Sequence, residues 1–172
     1  MKHPYIAYKV GKVKDGATNI STIASNFEIN IAYAANLKRD EDGTPGNAIR
    51  HTLWQAIITR DYGTDEARHI GNVHEDNHDL DLNQRIFNDM KPADSTVDLL
   101  NNIIGRELGR KNPNATNVEL AKKVMEEFLK NGLWTVENIN GEYRIQKTRI
   151  TQEEYESAIK EINKKNENGK NN

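Results

Sequence analysis

The chain has 172 residues, a mass of 19.6 kDa and a formal net charge of −2, which is the size of one ordinary domain. Neither sign of charge is in enough excess to attract nucleic acid or an anionic membrane non-specifically. The absence of cysteine excludes disulfides, thiolate zinc sites and cysteine nucleophiles. No apolar run is long enough for a membrane span or for the core of a secretory signal. We therefore expect a soluble, single-domain protein without a stable membrane span.

The first half of the chain predicts three helices. Helical spacing of apolar residues begins at Ile20 and, after a charged and glycine-rich loop at 38–46, helical character resumes at Asn47. Two acidic residues follow Thr64, which predicts that Thr64 caps a third helix ending near Glu75.

The next part of the chain predicts two more helices. Residues 78–88 are polar and indicate no element, whereas Asp94 or Ser95 is predicted to start a helix that Gly109 closes. Apolar residues then recur on one face over 117–130, as in an amphipathic helix.

In the C-terminal region the spacing of apolar residues changes from helical to alternating. Side chains alternate on both sides of Asn140-Gly141, the strongest short signal for a β-hairpin, and Thr151 begins a capping box for a last helix. Residues 164–172 contain no apolar side chain and are predicted to be a disordered polar tail. The predicted fold is therefore mainly α: a compact helical domain over residues 1–163, with a small C-terminal β-hairpin followed by a last helix.

One predicted helix carries polar and aromatic residues on a single face. Positions i, i+3, i+4 and i+7 of this helix are Asn47, Arg50, His51 and Trp54. Trp54 is the kind of side chain that either packs in a core or stacks on a substrate. The other three side chains form a polar set that a simple surface helix does not need.

A second polar line occurs on the helix over 96–109, between two apolar flanks. Its members are Asp98, Asn101, Asn102, Gly105 and Arg106. A helix that is apolar on both flanks is buried, and buried Asp, Asn or Arg side chains cost several kcal/mol unless they are paired. The glycine costs roughly 1 kcal/mol relative to alanine in mid-helix, and it allows close approach of a ligand or of a neighbouring helix.

A third polar cluster is formed by His74 and Glu75 at the end of a predicted helix, where a neighbouring carboxylate would orient the imidazole. The three helices could turn their polar residues toward one cavity. Two interpretations stay open: a functional site, or a structural polar network in which, for example, Asp98 and Arg106 form a salt bridge between helices.

The segments NAIRHTLWQA, GNVHED and TVDLLNNIIGRELG, with the opening KHPYIAYKVGKVKDGATNIST, resemble a bacterial domain of Rhs-type polymorphic toxins. Related copies occur among the cargo of contact-dependent and type VI secretion systems, notably in Bacteroidales. The resemblance runs from His3 to about Ile150. Carried over by position, the recurrent polar residues are Asn47, Arg50, His51, Trp54, His74, Glu75, Asp98, Asn102, Gly105 and Arg106.

This resemblance implies an antibacterial effector and does not identify its reaction. It further implies a cognate immunity protein, and a secretion-machine carrier or an Rhs-type parent chain. Such an effector is made in the bacterial cytoplasm, exported without a cleavable signal peptide and delivered into a target cell. The acidic stretch after His74 departs from the family pattern, which leaves open whether Asp76 or His78 takes part.

The residue types favour a hydrolase. The chain has no phosphate-binding glycine loop, no dinucleotide fingerprint and no serine in an activated arrangement. His51 and His74 are candidates either for metal ligands or for an acid/base pair, and Glu75 for the base that activates water. Asp98 would complete a two-histidine, one-carboxylate site for a divalent metal such as zinc, or orient one imidazole from behind.

The substrate is predicted to be anionic. Arg50, Arg106 and Asn102 would bind a phosphate or carboxylate, with Asn47 and Trp54 beside them. Two arginines beside two histidines suggest cleavage of a phosphoester or phosphodiester, and the lack of basic excess favours an envelope substrate. The alternatives are a non-enzymatic binding or structural module of a secretion apparatus, and a metal-independent nuclease.

Overall fold

The structure is a computed structural model that describes residues 3–39, 41–75 and 80–172. Within these ranges the chain forms seven helices and three strands. The helices are α1 (His3–Val10), α2 (Ile20–Ala34), α3 (Pro45–Tyr62), α4 (Thr64–His74), α5 (Met90–Lys111), α6 (Asn117–Lys130) and α7 (Gln152–Ile162). The strands are β1 (Ile86–Phe87), β2 (Leu133–Ile139) and β3 (Glu142–Thr148). The prediction of a mainly α fold with a hairpin followed by a last helix is confirmed.

Side-chain caps explain where several helices begin. Thr44 precedes α3 and accepts a hydrogen bond from the Asn47 backbone, and Pro45 occupies the first turn, where its missing N–H is not needed. Capping boxes start α6 at Thr116 and α7 at Thr151.

The predicted start of α5 at Asp94 or Ser95 is wrong. This helix begins at Met90, after Asp89, and Pro92 lies in its first turn. Proline is tolerated there because the first N–H groups of a helix have no partner within the helix.

Helix α3 forms the centre of the core, and its packing against α5 is unusually close. A Cβ atom at Gly105 would lie 2.3 Å from the Thr52 carbonyl oxygen, and one at Gly109 would lie 2.3 Å from the Ala56 carbonyl oxygen. Gly105 therefore allows close approach of a neighbouring helix. This seam, defined by Gly105 and Gly109 against α3, fixes the polar residues of the two helices relative to each other.

The three strands form an antiparallel sheet in the order β1-β3-β2. Asn140 and Gly141 connect β2 and β3 with φ angles of 54° and 90°, as a tight hairpin turn requires. The sheet covers one side of α5, where Phe87 and Ile145 pack against Val97. Strand β1 was not predicted, because a strand of two residues is too short to show an alternation of apolar and polar side chains.

The prediction of a disordered tail over 164–172 is wrong. Lys165 is only 5% exposed, and its Nζ donates to Asn30 Oδ1 at 2.9 Å. Asn26 donates to the Asn168 carbonyl at 2.9 Å, and Glu167 Oε2 accepts from the Asn117 N–H at the start of α6. A polar tail can thus be ordered by hydrogen bonds and by a carboxylate at a helix N-terminus, without apolar residues. Among the described residues, no helix has the length and apolar character to cross a membrane.

Candidate functional site

A pocket of about 240 Å³ opens where α3 and α4 meet the segment before α2. Its walls are formed by Val13, Ser21, Arg50, His51, Trp54 and His74. Four of these six residues were predicted from the sequence to belong to one site. The structure brings them together because α3 presents three of them on one face and α4 ends beside that face.

Two histidines in the wall of this pocket form a reactive cluster with a neighbouring glutamate. One ligand atom each from His51, His74 and Glu75 lie within 4.8 Å of one another, so these residues could hold a metal ion. His51 and Glu75 are buried, whereas His74 is exposed and gives the cluster access to solvent. The His74 ring also lies 5.1 Å from the Trp54 ring, centroid to centroid.

His51 is held in a buried environment that disfavours its charged form. Burial, with smaller effects of the neighbouring Arg50 and His74, lowers the pKa of His51 from 6.5 to about 3. Asn102 acts in the opposite direction and raises the pKa of His51. Neither the Asn102 amide nor His51 Nδ1 has a partner with hydrogen-bond geometry among the described residues. His51 is therefore neutral at pH 7, which is the form that binds metals.

A carboxyl group orients the His51 ring from behind. His51 Nε2 lies 3.3 Å from Asp98 Oδ2, and because His51 is neutral this contact is not an ion pair. It leaves His51 Nδ1 as the nitrogen for a ligand. Asp98 thus lies behind the imidazole, and Glu75 is the third donor in place of the predicted Asp98.

Asp98 belongs to a buried carboxyl pair bridged by an amide. Asn47 Nδ2 donates to Asp98 Oδ1 at 2.9 Å and to Asp94 Oδ1 at 3.2 Å. Burial raises the pKa of Asp98 well above its usual range, and the carboxylates of Asp94 and Glu75 raise it further. Burial, together with Asp42, likewise raises the pKa of Asp94 to about 6.

Arg50 separates the histidine pocket from a second, acidic cavity. That cavity measures about 290 Å³ and is lined by Glu28, Glu41, Asp42, Asn47 and Arg50. The Arg50 guanidinium donates to Asn47 Oδ1. Arg50 lines both cavities, so one cation borders the histidine pocket and the acidic cavity.

Five predicted site residues do not line the histidine pocket: Asn47, Glu75, Asp98, Asn102 and Arg106. Arg106 donates to Gln55 Oε1 at 3.0 Å, and burial lowers its pKa. It does not line the histidine pocket, and the predicted salt bridge to Asp98 is replaced by this contact. Asn102 is fully buried, 3.3 Å from where a Cβ at Gly71 would lie. Asp76 and His78 lie outside the described residues.

Ser21 and Val13 also line the pocket, from outside the three helices, and were not predicted from the sequence. Trp54 Nε1 donates to Ser21 Oγ at 3.1 Å, and Ser21 Oγ donates to the Gly11 carbonyl at 2.8 Å. The serine proton is therefore directed at a carbonyl and not at a histidine. No sequence motif marks either residue, because each reaches the site only through the packing of the N-terminal segment.

The comparisons with known proteins give one match. A family model described as Domain of unknown function (DUF6973) matches residues 1–132, which include all the pocket residues named above. No curated protein and no solved structure matches the chain.

Proposed function

The chain belongs to the DUF6973 family, and we propose that it is an antibacterial effector domain that hydrolyses a phosphate-containing envelope substrate. The observation that carries the proposal is the cluster of His51, His74 and Glu75, whose two histidines line a pocket together with Arg50. Two histidines and one carboxylate are a ligand set of hydrolytic zinc sites. A guanidinium is the side chain best suited to bind phosphate oxygens.

The donor set fits a zinc ion. Ligand atoms of a tetrahedral zinc site lie about 3.4 Å apart, given metal–ligand bonds of about 2.1 Å. The three donor atoms here lie within 4.8 Å of one another, so side-chain movements of about 1 Å would bring them together. The contact between Asp98 and His51 Nε2 is the carboxylate–histidine arrangement that typically supports a metal-binding imidazole.

Each residue then has a definite role. When bound, a divalent metal supplies Lewis-acid chemistry at the phosphate ester. Asp98 fixes the orientation of His51, and Arg50 binds phosphate oxygens at the pocket wall. In the metal-free alternative, Glu75 takes a proton from the attacking water and His74 donates a proton to the leaving oxygen, while His51 stays neutral.

The effector assignment rests on the resemblance to Rhs-type toxin domains. It includes a cognate immunity protein, a secretion carrier or parent chain, and delivery into a target cell. The pocket supports the effector assignment because an effector of this kind needs a hydrolytic site.

Zinc titration by calorimetry tests the metal site on the whole chain. We expect one zinc per chain for the wild type, and at least a tenfold loss of affinity for His74→Ala. His69→Ala is the matched control, because His69 is an exposed histidine of the same helix outside the donor cluster. Circular dichroism checks that each variant is folded. Equal zinc affinity in wild type and His74→Ala would refute the metal site.

Growth of a susceptible bacterium tests the activity. The chain is expressed in the cytoplasm or, with an added signal peptide, in the periplasm, each beside His74→Ala. Killing from the periplasm alone that requires His74 is the expected result. Killing from the cytoplasm alone would favour a nuclease, and no killing by a folded protein would contradict the toxin.

A second candidate is favoured by a specific observation. Asn47 bridges Asp94 and Asp98 by hydrogen bonds, and Asp98 in turn lies against His51, as expected of a purely structural polar network. Under this alternative the domain is a binding or structural module. Replacement of Asn47 or Asp98 would then lower stability, while His74→Ala would change neither stability nor any activity.

A further inference from the structure

An apolar groove continues from the histidine pocket between α1 and α4. It measures about 600 Å³. Its apolar lining consists of Ile6, Ala7, Val10, Val13, Ile70 and Val73, and Trp54 lies at its inner end. Val73 and Val13 are 70% and 57% exposed, although valine is usually buried. A contiguous apolar surface of this kind, bordered by polar residues, is typical of a ligand groove.

The groove and the pocket are continuous. Val13, Ser21, Trp54 and His74 line both of them, so a molecule lying in the groove extends directly toward His51 and Arg50. The polar end of the combined space carries a guanidinium and two imidazoles, whereas the groove is mainly apolar, with Lys12, Glu66 and His69 as the charged or titratable residues that line it alone. The complementary ligand is therefore amphiphilic, with an anionic head and an apolar tail.

We propose that this groove binds one fatty-acyl chain of a phospholipid whose phosphate lies at Arg50 in the histidine pocket. This inference rests on the proposed function, because it names the substrate class of the same site.

The volume of the groove favours one acyl chain. An apolar cavity of about 150 Å³ takes up one benzene molecule, so a groove of 600 Å³ has room for about four such rings, or roughly two dozen carbon atoms. That is sufficient for a single fatty-acyl chain. The much longer polyprenyl tail of a lipid-linked wall precursor would not fit within it.

Binding of alkyl phosphates of increasing chain length tests the groove without requiring turnover. Ethyl, butyl, hexyl and octyl phosphate are titrated into the whole chain below their micelle concentrations, with affinity measured by calorimetry. Each buried methylene contributes up to about a fourfold gain in affinity. We expect affinity to rise steadily along the series for the wild type.

Two matched variants locate the tail. Val73→Asp places a charge in the groove and should abolish most of the gain with chain length. Tyr33→Asp is the control, because Tyr33 is 86% exposed and, like Val73, is the penultimate residue of its helix. The control should keep the full gain.

The outcomes separate the groove from the reaction. Affinity that does not depend on chain length, or that depends on it equally in Val73→Asp, would overturn the acyl-chain site. Chain-length-dependent binding that Val73→Asp abolishes would establish the site, even if the protein neither binds zinc nor cleaves phospholipid. In that case only the proposed hydrolysis fails.

Discussion

The close contact between α3 and α5 makes Gly105→Ala the most informative test of the fold. The added Cβ would lie 2.3 Å from the Thr52 carbonyl oxygen and 2.8 Å from Gln55 Cβ. Carbon and carbonyl oxygen atoms normally approach no closer than about 3.3 Å. The two helices would therefore have to separate by about 1 Å, and neither backbone can rotate aside as a side chain could.

The expected magnitude follows from two opposing effects. Alanine in place of glycine stabilises a helix interior by about 1 kcal/mol. Overpacking of a tight core costs about 1–3 kcal/mol, and a backbone contact belongs at the upper end of this range. We expect Gly105→Ala to lower the free energy of unfolding by about 1–2 kcal/mol.

Gly71→Ala is the matched control, because it is the same substitution at a buried helical position. Its Cβ would meet only side-chain ends, Gln55 Nε2 at 3.0 Å and Asn102 Nδ2 at 3.3 Å, which can shift. We expect its stability to be unchanged or up to about 1 kcal/mol higher. Urea denaturation of both variants measures the difference. If Gly105→Ala is as stable as Gly71→Ala, the seam does not hold the helices in contact.

Three further predictions concern the tail, a helix cap and pH. Lys165→Ala should lower the free energy of unfolding by about 2 kcal/mol, because it removes a buried ammonium together with its charge-assisted hydrogen bonds. Lys164→Ala, at the exposed neighbouring site, should change the free energy of unfolding by less than about 0.5 kcal/mol. Thr151→Ala should cost about 1 kcal/mol in thermal or urea unfolding, and Thr151→Ser should not. The folded-state pKa of His51 is about 3, below the unfolded value of 6.5. The contribution of neutral His51 to the free energy of unfolding is therefore complete above pH 6.5 and is lost as the pH falls toward 3. Wild type should therefore lose about 2 kcal/mol more than His51→Gln between pH 7 and pH 5. Equal pH dependence of these two proteins would contradict the burial of a neutral His51.

Local signals in the sequence predicted the elements that depend on neighbours along the chain. The apolar face over 117–130, the Asn140-Gly141 turn and the capping box at Thr151 each require only residues within one or two turns, and each is confirmed. The start of α5 was misplaced because Asp94 and Ser95 are good cap residues, yet Asp94 is instead part of the buried carboxyl pair.

The candidate site was predictable in part. Spacing on α3 placed Asn47, Arg50, His51 and Trp54 on one face, as the structure has them. The spacing of residues along a helix does not show how α5 is rotated relative to α3. That rotation places Asp98 behind His51 and turns Arg106 toward Gln55 instead of the pocket. Nor could spacing show that the segment around Val13 and Ser21 closes the pocket.

The glycine seam also bears on how this domain can diversify. One wall of the histidine pocket is carried by α3, whose backbone touches that of α5 at Gly105 and leaves no room for a larger residue. The facing wall of the apolar groove includes Ala7, Lys12 and Val13, which are exposed, whereas Ile6 and Val10 beside them are buried. Sequence change that alters ligand preference should therefore be tolerated best at these three exposed positions. A mutational library confined to them would sample new specificities while the reactive cluster keeps its geometry.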